Sequence, residues 1–249
     1  MMTKEQTERY ARHIMLEKVG HAGQERLLAG KVMIIGAGGL GSPIALYLAA
    51  AGVGTIGLAD SDRVELSNLQ RQIAHHTADL GRPKVVSARE KITAMNPDVN
   101  VTTFETRVDS SNIKGIIENF DFVIDATDNF DTKFLINDAC VSIGKPFSHG
   151  GILQFNGQTM TVLPGKSPCY RCIFPDPPEN EEVATACSRA GVMGILPGII
   201  GSLQATEAIK HLLDIGDLLT GRLLTYNALS LKFREIPIKQ NSNCACSND

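Results

Sequence analysis

Lys31-Val-Met-Ile-Ile35 runs straight into Gly36-Ala-Gly-Gly-Leu-Gly41, and the uncharged stretch Leu40 to Ala51 follows. An unbroken apolar run of this kind suits a strand covered on both faces, the glycines suit a tight turn, and the third segment suits a crossover helix. A G-x-G-x-x-G sequence that follows a strand and opens a helix lets the backbone approach a phosphate. The helix N-terminus adds N–H donors and a partial positive charge. Gly36, Gly38, Gly39 and Gly41 are therefore candidate nucleotide contacts. The next strand, Thr55 to Asp60, ends on a carboxylate nineteen residues beyond Gly41, placed to accept hydrogen bonds from ribose hydroxyls. The loop does not choose between a dinucleotide and ATP, so an NAD-dependent oxidoreductase stays open on these residues alone.

Outward from this unit, strand and helix keep alternating. Arg9 to Leu16 and His21 to Ala29 read as short amphipathic helices ahead of the first strand. Val85, Ala88, Ile92 and Met95 mark one face of a later helix stopped by Asn96-Pro97. Val99 to Phe104 and Phe122 to Ala126 read as strands separated by a short helix, and Asn129 to Ser142 as another helix. The expected fold is a doubly wound, Rossmann-like parallel sheet with right-handed crossovers. After residue 151 the pattern changes, because Ile152-Leu-Gln-Phe155 and Gln158 to Leu163 flank Asn156-Gly157, a strong hairpin-turn signal. Residues 164–190 show no periodicity, and loops of that length are usually functional. A helix with Ala205, Ala208, Ile209 and Leu212 on one face follows, and strands Arg222 to Asn227 and Leu231 to Ile238 close the chain. The organisation expected is one domain over 1–249: N-terminal helices in 1–30, a nucleotide-binding half in 31–151, and an antiparallel extension with a Cys-containing tail in 152–249.

Composition bounds the function. The 249 residues are 43% hydrophobic and 20% charged, the profile of a soluble globular chain with a full core. No repeat supports a solenoid. Twenty-four Lys and Arg against 27 Asp and Glu give a net charge of −3, and without a basic cluster a nucleic-acid partner is not expected. The polar N-terminus does not resemble an export signal, so a cytoplasmic location is expected. Val32 to Ala59 carries no charge over 28 residues, yet its seven glycines and Pro43 read as buried α/β core and not as a membrane span.

The polar residues after Asp60 favour ATP. Ser67-Asn68-Leu69-Gln70-Arg71-Gln72, Arg82-Pro83-Lys84 and Thr127-Asp128-Asn129 supply cations and an acid that hydride transfer does not need. Attack of a carboxylate on the α-phosphorus of ATP builds negative charge on nonbridging oxygens and on departing pyrophosphate. Fixed cations and a metal lower that barrier. Arg71 and Lys84 are suitable cations, and Pro83 reads as a first-turn proline that puts Lys84 at a helix start. Asp128 is suited to hold Mg²⁺. Taken singly, Arg71 and Lys84 read as solvated charges and Asp128 as a helix cap; their grouping beside a phosphate loop reverses that reading.

At these residues the sequence resembles the ThiF, MoeB and HesA family of ubiquitin-activating-enzyme-like adenylyltransferases. The resemblance runs nearly end to end: Arg9-Tyr-Ala-Arg12, the glycine loop, Ser67 to Gln72, Arg82-Pro-Lys84, Asp125-Ala-Thr-Asp-Asn129, Cys169-Tyr-Arg-Cys172 and Cys187-Ser-Arg-Ala-Gly-Val-Met193. It implies that Gly39, Asp60, Ser67, Asn68, Leu69, Gln70, Arg71, Lys84, Asp128 and Asn129 surround ATP. It also implies a homodimer in which Arg12 reaches the nucleotide of the other subunit, although as a residue Arg12 reads as an ordinary helix charge. The implied substrate is the C-terminal carboxylate of a small ubiquitin-like sulfur carrier ending in Gly-Gly, serving thiamine, molybdopterin or another sulfur pathway. Adenylation would convert that poor electrophile into one with a good leaving group and release pyrophosphate. A separate sulfur donor, such as a cysteine desulfurase, is then expected. A scaffold that binds a ubiquitin-like protein without ATP turnover is the second alternative, and the retained charges weigh against it.

Six cysteines in a chain expected to stay reduced point to metal or catalysis before disulfides. Cys169 and Cys172 form a C-x-x-C knuckle, and the pair that would complete a four-thiolate Zn²⁺ site is Cys244-Ala-Cys246, a C-x-C where the family usually has C-x-x-C. Its expected role is structural, pinning the tail to the long loop. Cys187 matches the family's loop cysteine, a candidate to accept the activated carrier as a thioester or to take part in a persulfide. Cys140 reads as packing, and adjacent His75 and His76 as exposed or capping residues. His149 lies near the site without an assigned role.

Overall fold

A computed structural model describes residues 1–178, 190–244 and 246. Eight strands form one sheet in the order β3-β2-β1-β4-β5-β6-β7-β8. The parallel part comprises β1 (Lys31–Ile35), β2 (Thr55–Ala59), β3 (Asn100–Phe104), β4 (Phe122–Asp125) and β5 (Phe147–Leu153). The antiparallel part adds β6 (Asn156–Val162), β7 (Arg222–Asn227) and β8 (Lys232–Pro237). The single-domain α/β expectation is met.

Alternate residues of β1 explain its wholly apolar sequence. Val32 and Ile34 face one core, with α4 (Gly41–Ala51), α5 (Lys84–Met95) and the long helix α8 (Leu196–Leu213); Met33 and Ile35 face a second core beneath α6 (Ile113–Ile117) and α7 (Phe130–Ser142). The uncharged stretch from Val32 to Ala59 is thus β1, α4 and β2. Among the described residues no helix is long and apolar enough to cross a membrane. Ala205 and Ala208 of α8 are buried, and Ile209 and Leu212 pack against the same core.

Four local expectations are corrected. The helix expected over Arg9 to Leu16 is shorter, α2 spanning Ala11–Ile14, and a further helix α1 (Lys4–Arg9), capped by Thr3, precedes it, both ahead of α3 (Gly20–Ala29). The break is at Tyr10, which is buried and accepts a hydrogen bond from Asn96 Nδ2 at 2.8 Å; docking that hydroxyl outweighs helix continuity. Pro83 is the N-cap residue of α5 and Lys84 its first residue, so the proline sits one position before the first turn, and Met95 at the other end is exposed. Asn129, not Asp128, caps α7, accepting a hydrogen bond from Thr132 N at 2.9 Å.

The fourth correction concerns the hairpin. It forms, but Asn156 and Gly157 are strand residues paired with Leu153 and Ile152, and the turn is made by Gln154 and Phe155, with Gln154 at φ 53°. Gly157 is required for a different reason: a Cβ there would overlap the side chain of Ile200 on α8. Absence of a side chain lets the helix lie against the sheet.

Candidate functional site

β1, β2 and β4 all end at one cleft of about 1180 Å³, bounded by Gly36, Asp60 and Ala126 to Asn129. The sheet order changes direction between β1 and β4, the position where open α/β sheets bind ligands beyond their strand ends. Gly36 adopts φ 101°, and a Cβ on it would come within 2.6 Å of the Ala126 carbonyl oxygen. No other residue type lets this loop cross that strand end.

Gly36, Gly38, Gly39, Asp60, Arg71, Lys84, Asp128 and Asn129 all line the cleft. Asp60 accepts hydrogen bonds from Ala37 N and Asp62 N, both at 2.8 Å. Burial lifts its carboxyl above the usual range, against the charge of Lys84 and those two N–H groups. The Lys84 ammonium is buried and pairs with Asp62 at 2.8 Å. Arg71 donates to the Ser67 carbonyl at 3.1 Å. Asp128 is exposed to the cleft and forms no ion pair among the described residues.

Gly41, Ser67, Asn68, Leu69 and Gln70 lie outside the cleft wall. Gly41 opens α4, where a Cβ would overlap the Gly36 carbonyl. Asn68 accepts from Glu65 N at 3.1 Å, and its own carbonyl receives Arg71 N and Gln72 N. This segment builds the short turn that presents Arg71 and Gln72. Arg12, exposed on α2, is also outside the wall. Cys187 and its neighbours Ser188 and Arg189 lie outside the described residues.

Several residues in and behind the cleft wall were given no role by the sequence reading. Asp125, at the end of β4, is buried and accepts from His149 Nδ1 at 2.9 Å and Lys133 Nζ at 3.1 Å. Burial alone would raise its pKa, but Lys133, His149 and Thr127 hold it well below the carboxylate range. Lys133 also donates to the carbonyls of Thr127 at 2.7 Å and Gly150 at 2.6 Å. Burial, reinforced by Lys133, lowers the His149 pKa, so the imidazole is neutral near pH 7. Gln72, buried against Gly38, and Gln158 complete the polar wall. His75, expected at the surface, is buried and bonds Ser87 Oγ and the Ala37 carbonyl, both at 2.9 Å, bracing the glycine loop from behind. His76 is exposed. Cys140 is packed in the second core, as expected.

Cys169, Cys172, Cys244 and Cys246 converge, with all four Sγ atoms within 4.8 Å of one another. Sγ separations are 3.4 Å for Cys169–Cys244 and for Cys172–Cys246. Tetrahedral Zn–S bonds of about 2.3 Å imply S–S edges of about 3.8 Å, so the donor set and its spacing fit a four-thiolate zinc site, and the C-x-C tail reaches it. The knuckle also shapes the cleft. Tyr170, between its two cysteines, lines the wall, packs against His149 with tilted rings whose centroids are 4.5 Å apart, and donates its N–H to Asn137 at 2.9 Å. Arg171 pairs with Asp138 on α7 at 2.7 Å and lies over the Phe134 ring.

Comparison with known proteins agrees with this geometry. The ThiF family model matches residues 10–248. The chain is 49% identical to the SAMP-activating enzyme E1 of Haloferax volcanii, covering 96% of this chain and 88% of that protein. It is 47% identical to the sulfur carrier protein adenylyltransferase of Thermus thermophilus, covering 99% and 93%. The probable adenylyltransferase/sulfurtransferase MoeZ of Mycobacterium tuberculosis is 45% identical over 96% of this chain, which spans 62% of that longer protein. Among solved structures, E. coli MccB with ATP superposes at a TM-score of 0.84 with 22% identity, over 99% of this chain and 76% of that one, a likeness of fold.

Proposed function

The chain belongs to the ThiF family, and from that premise we propose how its cleft divides the work of ATP-dependent adenylation of a sulfur-carrier protein. The reaction joins the C-terminal glycine carboxylate of a small ubiquitin-like carrier to AMP and releases pyrophosphate. The observation that carries the assignment is the convergence of Arg71, Lys84, Asp60 and Asp128 on the glycine loop in one cleft. In this reading Asp60 accepts the ribose hydroxyls, and the Gly36 to Gly39 backbone and the start of α4 face the phosphates. Arg71 and Lys84 oppose the charge that develops on the α-phosphate and the leaving pyrophosphate. Asp62 holds Lys84 in place, and Ser67 to Gln70 act from behind the wall by fixing the turn that carries Arg71. Asn129 fixes the start of α7 and with it the position of Asp128.

Asp128 is the residue that would hold Mg²⁺, and its unpaired carboxylate at the cleft suits that task; the ion would supply charge neutralisation at the phosphates. The four cysteines would hold Zn²⁺ as a structural centre. A homodimer in which Arg12 serves the nucleotide of a second subunit is supported by the exposure of Arg12 and its lack of an ion pair among the described residues. Cys187 is assigned the later covalent step, with sulfur delivered by a separate donor, and the protein is assigned to the cytoplasm.

ATP–pyrophosphate exchange with purified protein and Mg²⁺, run with small Gly-Gly-ending carriers one at a time, tests the reading. Exchange that depends on one carrier is expected and identifies the pathway. Absence of exchange with every carrier, from folded and zinc-replete protein, would favour a binding scaffold.

A further inference from the structure

The cleft extends beyond the nucleotide end, along the antiparallel strands, to Asn156, Gln158, Thr225, Asn227, Lys232 and Arg234. His149, Gly151 and Tyr170 also line this cleft, with His149 and Gly151 on one face of β5. On the adenylation reading, a carrier tail that enters from the strand side passes these residues on its way to the glycine loop. A Gly-Gly tail has no side chains, so only its peptide N–H and C=O groups are available for recognition there.

His149 is built to read one of them. Its Nδ1 is committed to Asp125 at 2.9 Å, which places the proton on Nδ1 and leaves Nε2 as an acceptor. Lys133 balances the Asp125 carboxylate, so the ring has no need to become cationic. Tyr170 packs against the ring, tilted 48° with centroids 4.5 Å apart, and limits its rotation. Nε2 faces the cleft wall: Gln158 Nε2 lies 3.4 Å away, long for a hydrogen bond, and a Cβ on Gly151 would stand 3.6 Å from it. A buried, oriented acceptor with only a long contact invites a donor, and the adenylate's phosphates offer none at neutral pH.

Resting on the adenylation reading, we propose that His149 Nε2 accepts a hydrogen bond from a backbone N–H of the carrier's terminal Gly-Gly segment, making His149 a positioning residue for the carrier and not for ATP. Gly151, on the same face as His149, keeps the floor low enough for the tail to lie on it. Asp125 and Lys133 act through His149 by fixing its tautomer and its neutral state.

The discriminating variant is His149→Asn, whose Nδ2 can retain the bond to Asp125 while the acceptor is lost. In ATP–pyrophosphate exchange its KM for carrier should rise about five- to tenfold, the effect of one neutral hydrogen bond, with ATP affinity by titration calorimetry unchanged. Carriers in which either terminal glycine is replaced by glycolic acid, so that an ester oxygen stands for the N–H, should show the same loss with the unaltered enzyme at one of the two positions. That loss should not add to the loss in His149→Asn. Additive losses, an unchanged carrier KM, or an equal fall in ATP affinity would overturn the proposal. Should the variant fail to fold, the ester carriers decide it alone: no loss at either position overturns it. If no carrier supports exchange, the adenylation reading fails, and calorimetric binding of carrier to both proteins still tests His149.

Discussion

The two halves of this cleft are built by different means. At the nucleotide end three groups stand just after a parallel strand, Gly36 after β1, Asp60 after β2 and Asp128 after β4, and Arg71 and Lys84 come from the turn and helix that follow β2. These positions are set by local sequence, and buried strands hold them. At the antiparallel end the wall is assembled from pieces remote in the chain, with β6 against β7 and Tyr170 between two cysteines whose Sγ neighbours lie 75 and 74 residues further on. The first arrangement supplies a fixed charge pattern for one invariant ligand. The second is the end assigned above to a protein tail, and four thiols from distant segments converge beside it.

Breaking the nucleotide end should have the largest effect. Lys84→Ala should lower carrier-dependent exchange about 10²–10³-fold, as removal of one transition-state donor does, while carrier binding by calorimetry changes little. Equal loss of binding would erase the division between the halves. At the other end, stripping metal from the four thiols, or replacing Cys172 by Ala, should abolish bound zinc as read by metal analysis. It should also lower the melting temperature by roughly 5–10 °C, from about 2.7 kcal/mol of linkage at 100 times the dissociation constant. ATP affinity should hold better than carrier affinity, because Tyr170 moves and the glycine loop does not. An unchanged melting temperature would deny the cluster its structural role.

Gly157→Ala sharpens the contrast at the point where α8 meets the antiparallel strands. Overpacking against Ile200 should cost about 1–3 kcal/mol in denaturant unfolding, and Ile200→Ala in the same chain should recover part of it. Were Gly157 a turn residue, the second change would only add damage. The smallest effect is expected at the actual turn. Gln154→Gly removes a left-handed non-glycine residue, and the relief, set against the entropy of glycine, should stabilise by about 0.5 kcal/mol.

The same contrast explains what was legible in the sequence. Strand β1, the glycine turn and Asp60 could be read because their spacing is contiguous and their chemistry is local. Arg71, Lys84 and Asp128 could be read as a group because short turns carry each to the same strand ends. His149 and Lys133 could not, since their meaning arises only when β5 and α7 bring them to Asp125. Asn156-Gly157 misled because a glycine that satisfies a turn equally satisfies a close helix approach, and only the position of Ile200 decides between them. The thiol pairs were individually visible, but their convergence depends on a chain path that no periodicity records.

The placement of Tyr170 also sets a timetable for biosynthesis. Its wall is anchored by thiols at 244 and 246, which leave the ribosome long after the glycine loop and β5 have been made. The parallel half has all its pairing partners by residue 153 and can consolidate early, whereas the wall at Tyr170 is without its second thiol pair until residues 244 and 246 have been made. On the proposed reading, a nascent chain would hold its phosphate-binding turn well before the second thiol pair could brace Tyr170, and the two ends of the cleft would mature in that order.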